Sequence, residues 1–169
     1  MTNDKVQTTL TTVNNEILSF QEYFVEKKAD PKLKKIDYVG SDSANITSEV
    51  SSILKKADQI IIGPSNPFLS IGPILSINKI RKLIVSHNNV VVVSPFINNK
   101  ALKGPSDKNF KDFGFQPNIE GLKVFYQDIA NQFIVHENEN EEENVFSKNI
   151  LFSEESVAVN LAEEIVQNV

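Results

Sequence analysis

The chain contains no cysteine, which excludes disulfides, thiolate catalysis and cysteine-ligated zinc or iron–sulfur centres. Histidine is scarce as well: there are 2, His87 and His136, and neither has metal-ligand spacing to a second histidine or a paired carboxylate. Both read as surface histidines. No run approaches the ~20 apolar residues of a membrane span. The polar opening MTNDKVQTTLTTV has no apolar stretch of the kind a secretory signal needs. Positive charge is not in surplus, since 17 Lys+Arg face 22 Asp+Glu for a net charge of −5. Nucleic-acid binders rely on clustered cations, so neither nucleic acid nor membrane is expected as a partner. The expected location is the cytoplasm.

What is present is ordinary globular material. The 169 residues are 40% hydrophobic and 23% charged, enough for about one domain that buries roughly 70% of its unfolded surface. Five of the six glycines and six of the seven prolines lie between Gly63 and Gly121, so backbone geometry is most tightly specified there. The stretch His136 to Asn144, HENENEEEN, reads as a solvated loop with a weaker metal-collecting alternative.

Periodicity and breakers give a coarse map. Residues 6–13 and 18–26 read as extended segments around Asn14-Asn15, and 34–39 alternate like a strand. Thr47 caps a helix over 48–57 with Val50, Ile53, Leu54 and Ala57 on one face. A short strand runs from Gln59 to Ile62, and a helix carrying Ile74, Leu75, Ile80, Leu83 and Ile84 starts near Pro73. Residues 89–94 form the clearest buried strand. Helices follow at 106–113 and 119–128, strands at 132–135 and 148–152, and a closing helix at 154–167. This alternation predicts an α/β fold, a three-layer Rossmann-like arrangement with a mostly parallel sheet and helices on both faces. Ligands of such sheets sit beyond the carboxyl ends of the strands, where the loops 63–73 and 94–105 both fall.

The first loop, Gly63-Pro64-Ser65-Asn66-Pro67-Phe68-Leu69-Ser70-Ile71-Gly72-Pro73, offers two hydroxyls, an amide and backbone N–H groups ahead of a helix. It reads either as a capped tight turn or as a phosphate cradle. It is neither a Walker A sequence nor G-x-G-x-x-G. In the second loop, after Ser94-Pro95, Lys103 beside Gly104 reads as a cation meeting a phosphate or as a surface lysine. Alternation places Gln21 and Tyr23 on one strand face and Phe20, Glu22 and Phe24 on the other. No Ser-His-Asp triad can be argued, and the catalytic residues are not identified.

FQEYFV at 20–25, ADQIIIGPSNPFLSIGPIL at 57–75, VVVVSPFI at 90–97 and ALKGP at 101–105 together resemble the 2-phospho-L-lactate transferase (CofD-like) family. The match covers nearly all of residues 1–169, as the C-terminal part of such a domain. A related branch of nucleotide-sugar-binding regulators lacks the SPxI…KGP element. The resemblance implies a transferase that moves a 2-phospholactyl or related phospho-acyl group from a guanosine diphosphate-linked donor. The acceptor is a hydroxyl of the deazaflavin precursor of coenzyme F-420; GMP is released and Mg²⁺ is required. It implies that Ser65, Asn66, Ser70 and Gly72 line the nucleotide-diphosphate site after Gly63, with Ser94, Lys103 and Gly104 opposite, and Phe20, Gln21 and Glu22 on the acceptor side. Family members are longer, and their first half carries a GGTG-type loop and the acidic residues associated with metal and acceptor. The sheet is therefore expected to be incomplete without an N-terminal half, and the metal ligands to lie outside this chain. Where the family has an acidic residue in a hydrophobic strand, this chain reads Phe133-Ile134-Val135-His136-Glu137. Three explanations stand: one half of a split enzyme, a truncated product, or a non-catalytic nucleotide-binding or regulatory paralogue. The missing strands imply pairing with that half or with another copy of the chain.

Overall fold

The computed structural model describes residues 1–137, 142–152 and 154–168. Two sheets organise them. The first is antiparallel, order β2-β1-β3, from β1 (Gln7–Thr12), β2 (Ile17–Ser19) and β3 (Leu33–Val39). After α1 (Ser48–Lys56) come β4 (Ile60–Ile62), α2 (Gly72–Leu75), α3 (Asn78–Val85) and β5 (Val90–Val93). A two-residue hairpin, β6 (Phe96–Ile97) and β7 (Lys100–Ala101), leads to α4 (Ser106–Asp112) and α5 (Ile119–Phe125). The chain ends with β8 (Gln132–His136), β9 (Val145–Lys148) and α6 (Glu155–Asn168). The second sheet, order β4-β5-β8-β9, is parallel throughout. The expected three layers are there.

The valine run explains why β5 sits in the interior. All four of its side chains are buried, each worth roughly 1.5–3 kcal/mol. Val90 and Val92 join Ile80, Ile84, Phe110 and Leu122 on one face. Val91 and Val93 join Ile134, Leu161 and Ile165 beneath α6 on the other.

Several expected elements are corrected. The strand expected over 18–26 stops at Ser19, and the chain then winds into a π-helical turn, Glu22–Glu26. The cause is a reciprocal cap. The Glu22 carboxylate accepts from the Ser19 N–H (2.7 Å) and Ser19 Oγ accepts from the Glu22 N–H (3.2 Å). Side-chain hydrogen bonding with Ser19, then its backbone N–H, holds the Glu22 carboxyl below its ordinary value. The expected strand faces are lost with the strand: Tyr23 is buried, Gln21 and Glu22 are exposed, and Phe20 stacks on Phe24 at 5.4 Å between ring centroids. Helical winding expected from Pro73 begins earlier, in the π-helical turn Pro67–Ile71. Asn66 caps that turn with Pro67 in its first turn, a better start than Pro73. The single expected helix then breaks at Ile77, which is extended and 2% exposed.

The strand expected over 148–152 lies at Val145–Lys148, because Val145 is the side chain that buries against Phe133. Ile150 leaves the sheet to enter the core under α6. Thr47 caps α1 as expected, its side chain accepting from the Val50 N–H, but Ile53 faces solvent. His87 is half-buried, not superficial. Its Nδ1 accepts from the Asn89 N–H (3.1 Å), so Nε2 carries the proton and donates to the Ala57 carbonyl (2.8 Å). The core of the acidic stretch, 138–141, lies outside the described residues.

Strand β3 of the first sheet meets helix α2 at Gly72. A Cβ there would collide with Tyr38 Oη, whose hydroxyl donates to the Phe68 carbonyl at 2.6 Å. Burial pushes the Tyr38 hydroxyl from its ordinary 10.0 up to about 12. A raised folded-state value means the contribution is complete below the unfolded value and disappears as pH rises through the folded one. Tyr38→Phe is therefore expected to cost about 1 kcal/mol at neutral pH. It should also flatten the loss of stability between pH 10 and 12, read from urea melts across that range. Equal alkaline slopes for both proteins would contradict the assignment.

Candidate functional site

Because β4 and β5 are adjacent and parallel, the loops that leave them emerge at the same end of the sheet. The loop after β5 tightens through the β6–β7 hairpin, where Asn98 (φ 50) and Asn99 (φ 62) both adopt the left-handed conformation a two-residue hairpin turn requires. The Leu102 N–H then returns to the Pro95 carbonyl (2.9 Å). Gly104 has φ +66, and nothing lies closer than 4.0 Å to the place a Cβ would occupy. That backbone is both glycine-favouring and open.

A polar chain through the buried Asn109 fixes the loop after β4 to helix α4, which directly follows the second loop. Asn66 Nδ2 donates to Asn109 Oδ1 (2.9 Å), and Asn109 Nδ2 donates to Tyr23 Oη (2.9 Å). The Tyr23 hydroxyl donates to the Ala29 carbonyl (3.1 Å). Asn109 is 0% exposed, so it ties the loop after β4, helix α4 and the turn after β2 into one unit. Lys108 adds a second stitch, bonding the Pro31 carbonyl (2.7 Å) and Asp112 (2.8 Å), while Asp112 accepts from the Leu33 N–H (3.0 Å). Asn109 and the Tyr23 hydroxyl escaped the sequence reading. Their only signal was a helical position for Asn109, where a polar residue ordinarily faces water.

The sequence-derived residues divide into two groups. Asn66 Oδ1 accepts from the Phe68 and Leu69 N–H groups (3.0 Å each), and the Ser70 and Ile71 N–H groups go to the Asn66 carbonyl (3.0 and 3.1 Å). The Ser65 N–H bonds the Gly63 carbonyl (2.7 Å). These amides, expected to be free for an anion, are already satisfied by the protein. Ser94 is 2% exposed, and its Oγ both donates to and accepts from the Phe96 backbone (3.0 Å each). Gly72 lies under Tyr38. Asn66, Gly72 and Ser94 therefore shape the site from beneath.

Gly63, Ser70, Lys103 and Gly104 are exposed, and Ser65 is half-buried. Nothing lies within 4 Å of a Cβ placed on Gly63, so packing does not demand glycine there. On the acceptor side, a groove of about 490 Å³ runs between Phe24, Lys28 and Asp30 and the Gly104–Pro105 backbone. Phe20 is half-buried, and Gln21 and Glu22 are exposed on the same turn.

A larger cavity of about 800 Å³ lies between β3, α3 and α5 and meets the sequence-derived residues only at Gly72. Its floor is aromatic, with Phe68, Phe113, Phe115 and Phe125. The guanidinium on its lining, Arg81, is paired with Asp128 at 2.5 Å. It suits an apolar group better than a phosphate. Among the described residues no group of three or more His, Asp or Glu converges as a metal site.

The family described as 2-phospho-L-lactate transferase CofD matches residues 1–168. The 2-phospho-L-lactate transferase of Methanopyrus kandleri is 41% identical over 128 residues, 76% of this chain and 41% of that protein. Those of Methanocaldococcus jannaschii and Methanosarcina mazei are 38% and 34% identical, over 80% and 88% of this chain and 44% and 48% of their own lengths. The chain thus spans less than half the length of these relatives. Two crystal structures of one Bacillus halodurans protein, described in one of them as a member of the upf0052 family, superpose with TM-scores of 0.68 and 0.69. They cover 98% of this chain and 60% of that one at 15% and 16% identity, which establishes a shared fold. No helix among the described residues is long and apolar enough to cross a membrane.

Asn109→Ala would take the partner from the half-buried Asn66 amide and leave the buried Tyr23 hydroxyl with the Ala29 carbonyl alone. The expected cost is about 2–4 kcal/mol, a fall in Tm of roughly 5–15 °C by calorimetry. An unchanged Tm would show that the chain of bonds is not holding the loops.

Proposed function

The chain belongs to the 2-phospho-L-lactate transferase CofD family, matched over residues 1–168, and from that premise we propose that it supplies part of a phospholactyl transferase active site. The reaction is transfer of a 2-phospholactyl or related phospho-acyl group from a guanosine diphosphate-linked donor to a hydroxyl of the deazaflavin precursor of coenzyme F-420. The acceptor oxygen bonds to the phosphorus that carries the lactyl group. The bond from that phosphorus to the bridging oxygen breaks, GMP departs with that oxygen, and the proton of the acceptor hydroxyl passes to solvent.

The observation that carries this reading is the clamped pair of loops at the carboxyl end of the parallel sheet. Their outward groups suit a diphosphate. Lys103 supplies a positive charge, Ser65 and Ser70 supply hydroxyl donors, and Gly63 and Gly104 let backbone approach the ligand closely. Catalysis of this type rests on positioning and on offsetting phosphate charge. The groove beside Phe24 and Gly104, flanked by Phe20, Gln21 and Glu22, is the seat proposed for the acceptor. Among the described residues no group of three or more His, Asp or Glu gathers, and the ligands of the magnesium ion are assigned to the part of the family fold this chain does not span.

The test combines this chain with a co-expressed polypeptide carrying the remainder of the family fold. Chromatography is expected to show GMP formed from the guanosine diphosphate-linked donor when the acceptor is present. Lys103→Ala should weaken nucleotide binding roughly tenfold or more, as expected for loss of one charge-assisted contact. Equal affinity would remove Lys103 from the site. Binding without GMP release would mean a non-catalytic nucleotide-binding protein, and no thermal shift with any nucleotide an interaction subunit.

A further inference from the structure

The positive charge of this acidic chain is concentrated beside the groove. Segments 27–35 and 100–111 hold nine of the 17 basic residues but two of the 22 acidic ones. They are far apart in sequence, and α4 joins them. Lys108 reaches the Pro31 carbonyl (2.7 Å), and Asp112 takes the Leu33 N–H (3.0 Å). Between them runs the groove of about 490 Å³, lined by Phe24, Lys28, Asp30, Lys108 and the Gly104–Pro105 backbone. Like charges gathered on the walls of a cleft raise the local concentration of the opposite charge. The groove therefore attracts an anionic group.

The cations there are not equivalent. Lys108 is neutralised by the Asp112 carboxylate (2.8 Å) and Lys27 by Glu16 (3.2 Å). Lys28 lines the groove, is exposed, and has no ion-pair partner among the described residues. The backbone beneath it is unusual. Lys28 (φ 51) and Ala29 (φ 57) are both left-handed without being glycine, a conformation that persists where the surroundings over-determine it. Here the Ala29 N–H donates to the Tyr23 carbonyl (2.8 Å), the Tyr23 hydroxyl to the Ala29 carbonyl (3.1 Å), and the Asp30 N–H to the Lys27 carbonyl (3.0 Å). Tyr23 is in turn held by Asn109, which also holds Asn66. The backbone of Lys28 is thereby fixed relative to the loop after β4.

We propose that Lys28 binds the carboxylate of the phospho-acyl group and so selects which group is transferred. This rests on the transferase reading above. In that reaction the reacting phosphorus lies between the diphosphate, held at the loops after β4 and β5, and the acceptor in the groove. The acyl substituent on that phosphorus enters the groove with it. Its carboxylate is the anion the groove receives, and Lys28 is the groove-lining cation with no internal partner. A lysine ammonium is a compact point charge with three donors, suited to such a group. Asp30 lines the same groove; its charge opposes a carboxylate and favours a group that donates hydrogen bonds. The class selected is phosphate esters that carry a free carboxylate, over plain alkyl esters.

The test is calorimetric titration of this chain, co-expressed with the remainder of the family fold, against three compounds. They are guanosine diphosphate and its ethyl and 2-lactyl esters at the terminal phosphate, the two esters differing by the carboxylate alone. The lactyl ester is expected to bind about tenfold tighter than the ethyl ester, as for one charge-assisted contact. Lys28→Met should erase that difference while leaving guanosine diphosphate and the ethyl ester unchanged, and Lys28→Arg should retain most of it. Asp30→Asn should widen it. A preference that survives Lys28→Met, or a lactyl ester weakened by Asp30→Asn, overturns the proposal and keeps the transferase reading. Equal weakening of all three compounds by Lys28→Met also overturns it, since the lysine would then serve the diphosphate. Binding of none of the three overturns the transferase reading, and this proposal with it.

Discussion

Asn109 is a fully buried carboxamide that satisfies two other polar groups at once, the half-buried Asn66 amide and the buried Tyr23 hydroxyl, and the geometry of the site depends on it. Its oxygen takes the Asn66 amide and its nitrogen gives to the Tyr23 hydroxyl. Three segments far apart in sequence thereby share one fixed arrangement: the loop after β4, helix α4 and the turn after β2. A buried network of this kind is costly when half-satisfied and rigid when complete. Here the satisfied state also frees other groups for a ligand. Asn66 absorbs the N–H groups of its own turn, leaving Ser70 and Lys103 directed outward with nothing internal to stabilise.

The site that results is polar and one-sided. Its cation, hydroxyls and open glycine backbone lie at the carboxyl end of β4 and β5, facing the groove beside Phe24. At the edge of the same parallel sheet stands an all-isoleucine strand, β4.

Much of this was legible in the sequence because the signals were local. The valine run marked β5, Thr47 marked the start of α1, and the glycines and prolines after Ile62 and Val93 marked the loops that matter. Less legible were features decided by tertiary partners. Phe20 to Val25 alternates well enough for a strand, but the Ser19–Glu22 cap and the burial of Tyr23 wind it into a π-helical turn. Pro73 looked like a helix start, while Asn66-Pro67, an equally readable cap, lay hidden inside a presumed phosphate loop. Asn66 and Ser94 were legible as polar residues at the right place, but which way a side chain spends its hydrogen bonds depends on Asn109 and Phe96, and no spacing rule reports that.

In the proposed function the clamped loops, and not the larger aromatic cavity beside Tyr38, receive the nucleotide. Amide hydrogen exchange on the assembled protein with guanosine diphosphate tests this most directly. New protection confined to residues 63–72 and 98–105 is the expected result. Protection centred on Tyr38, Arg81 and Phe125, with those loops unchanged, would contradict it.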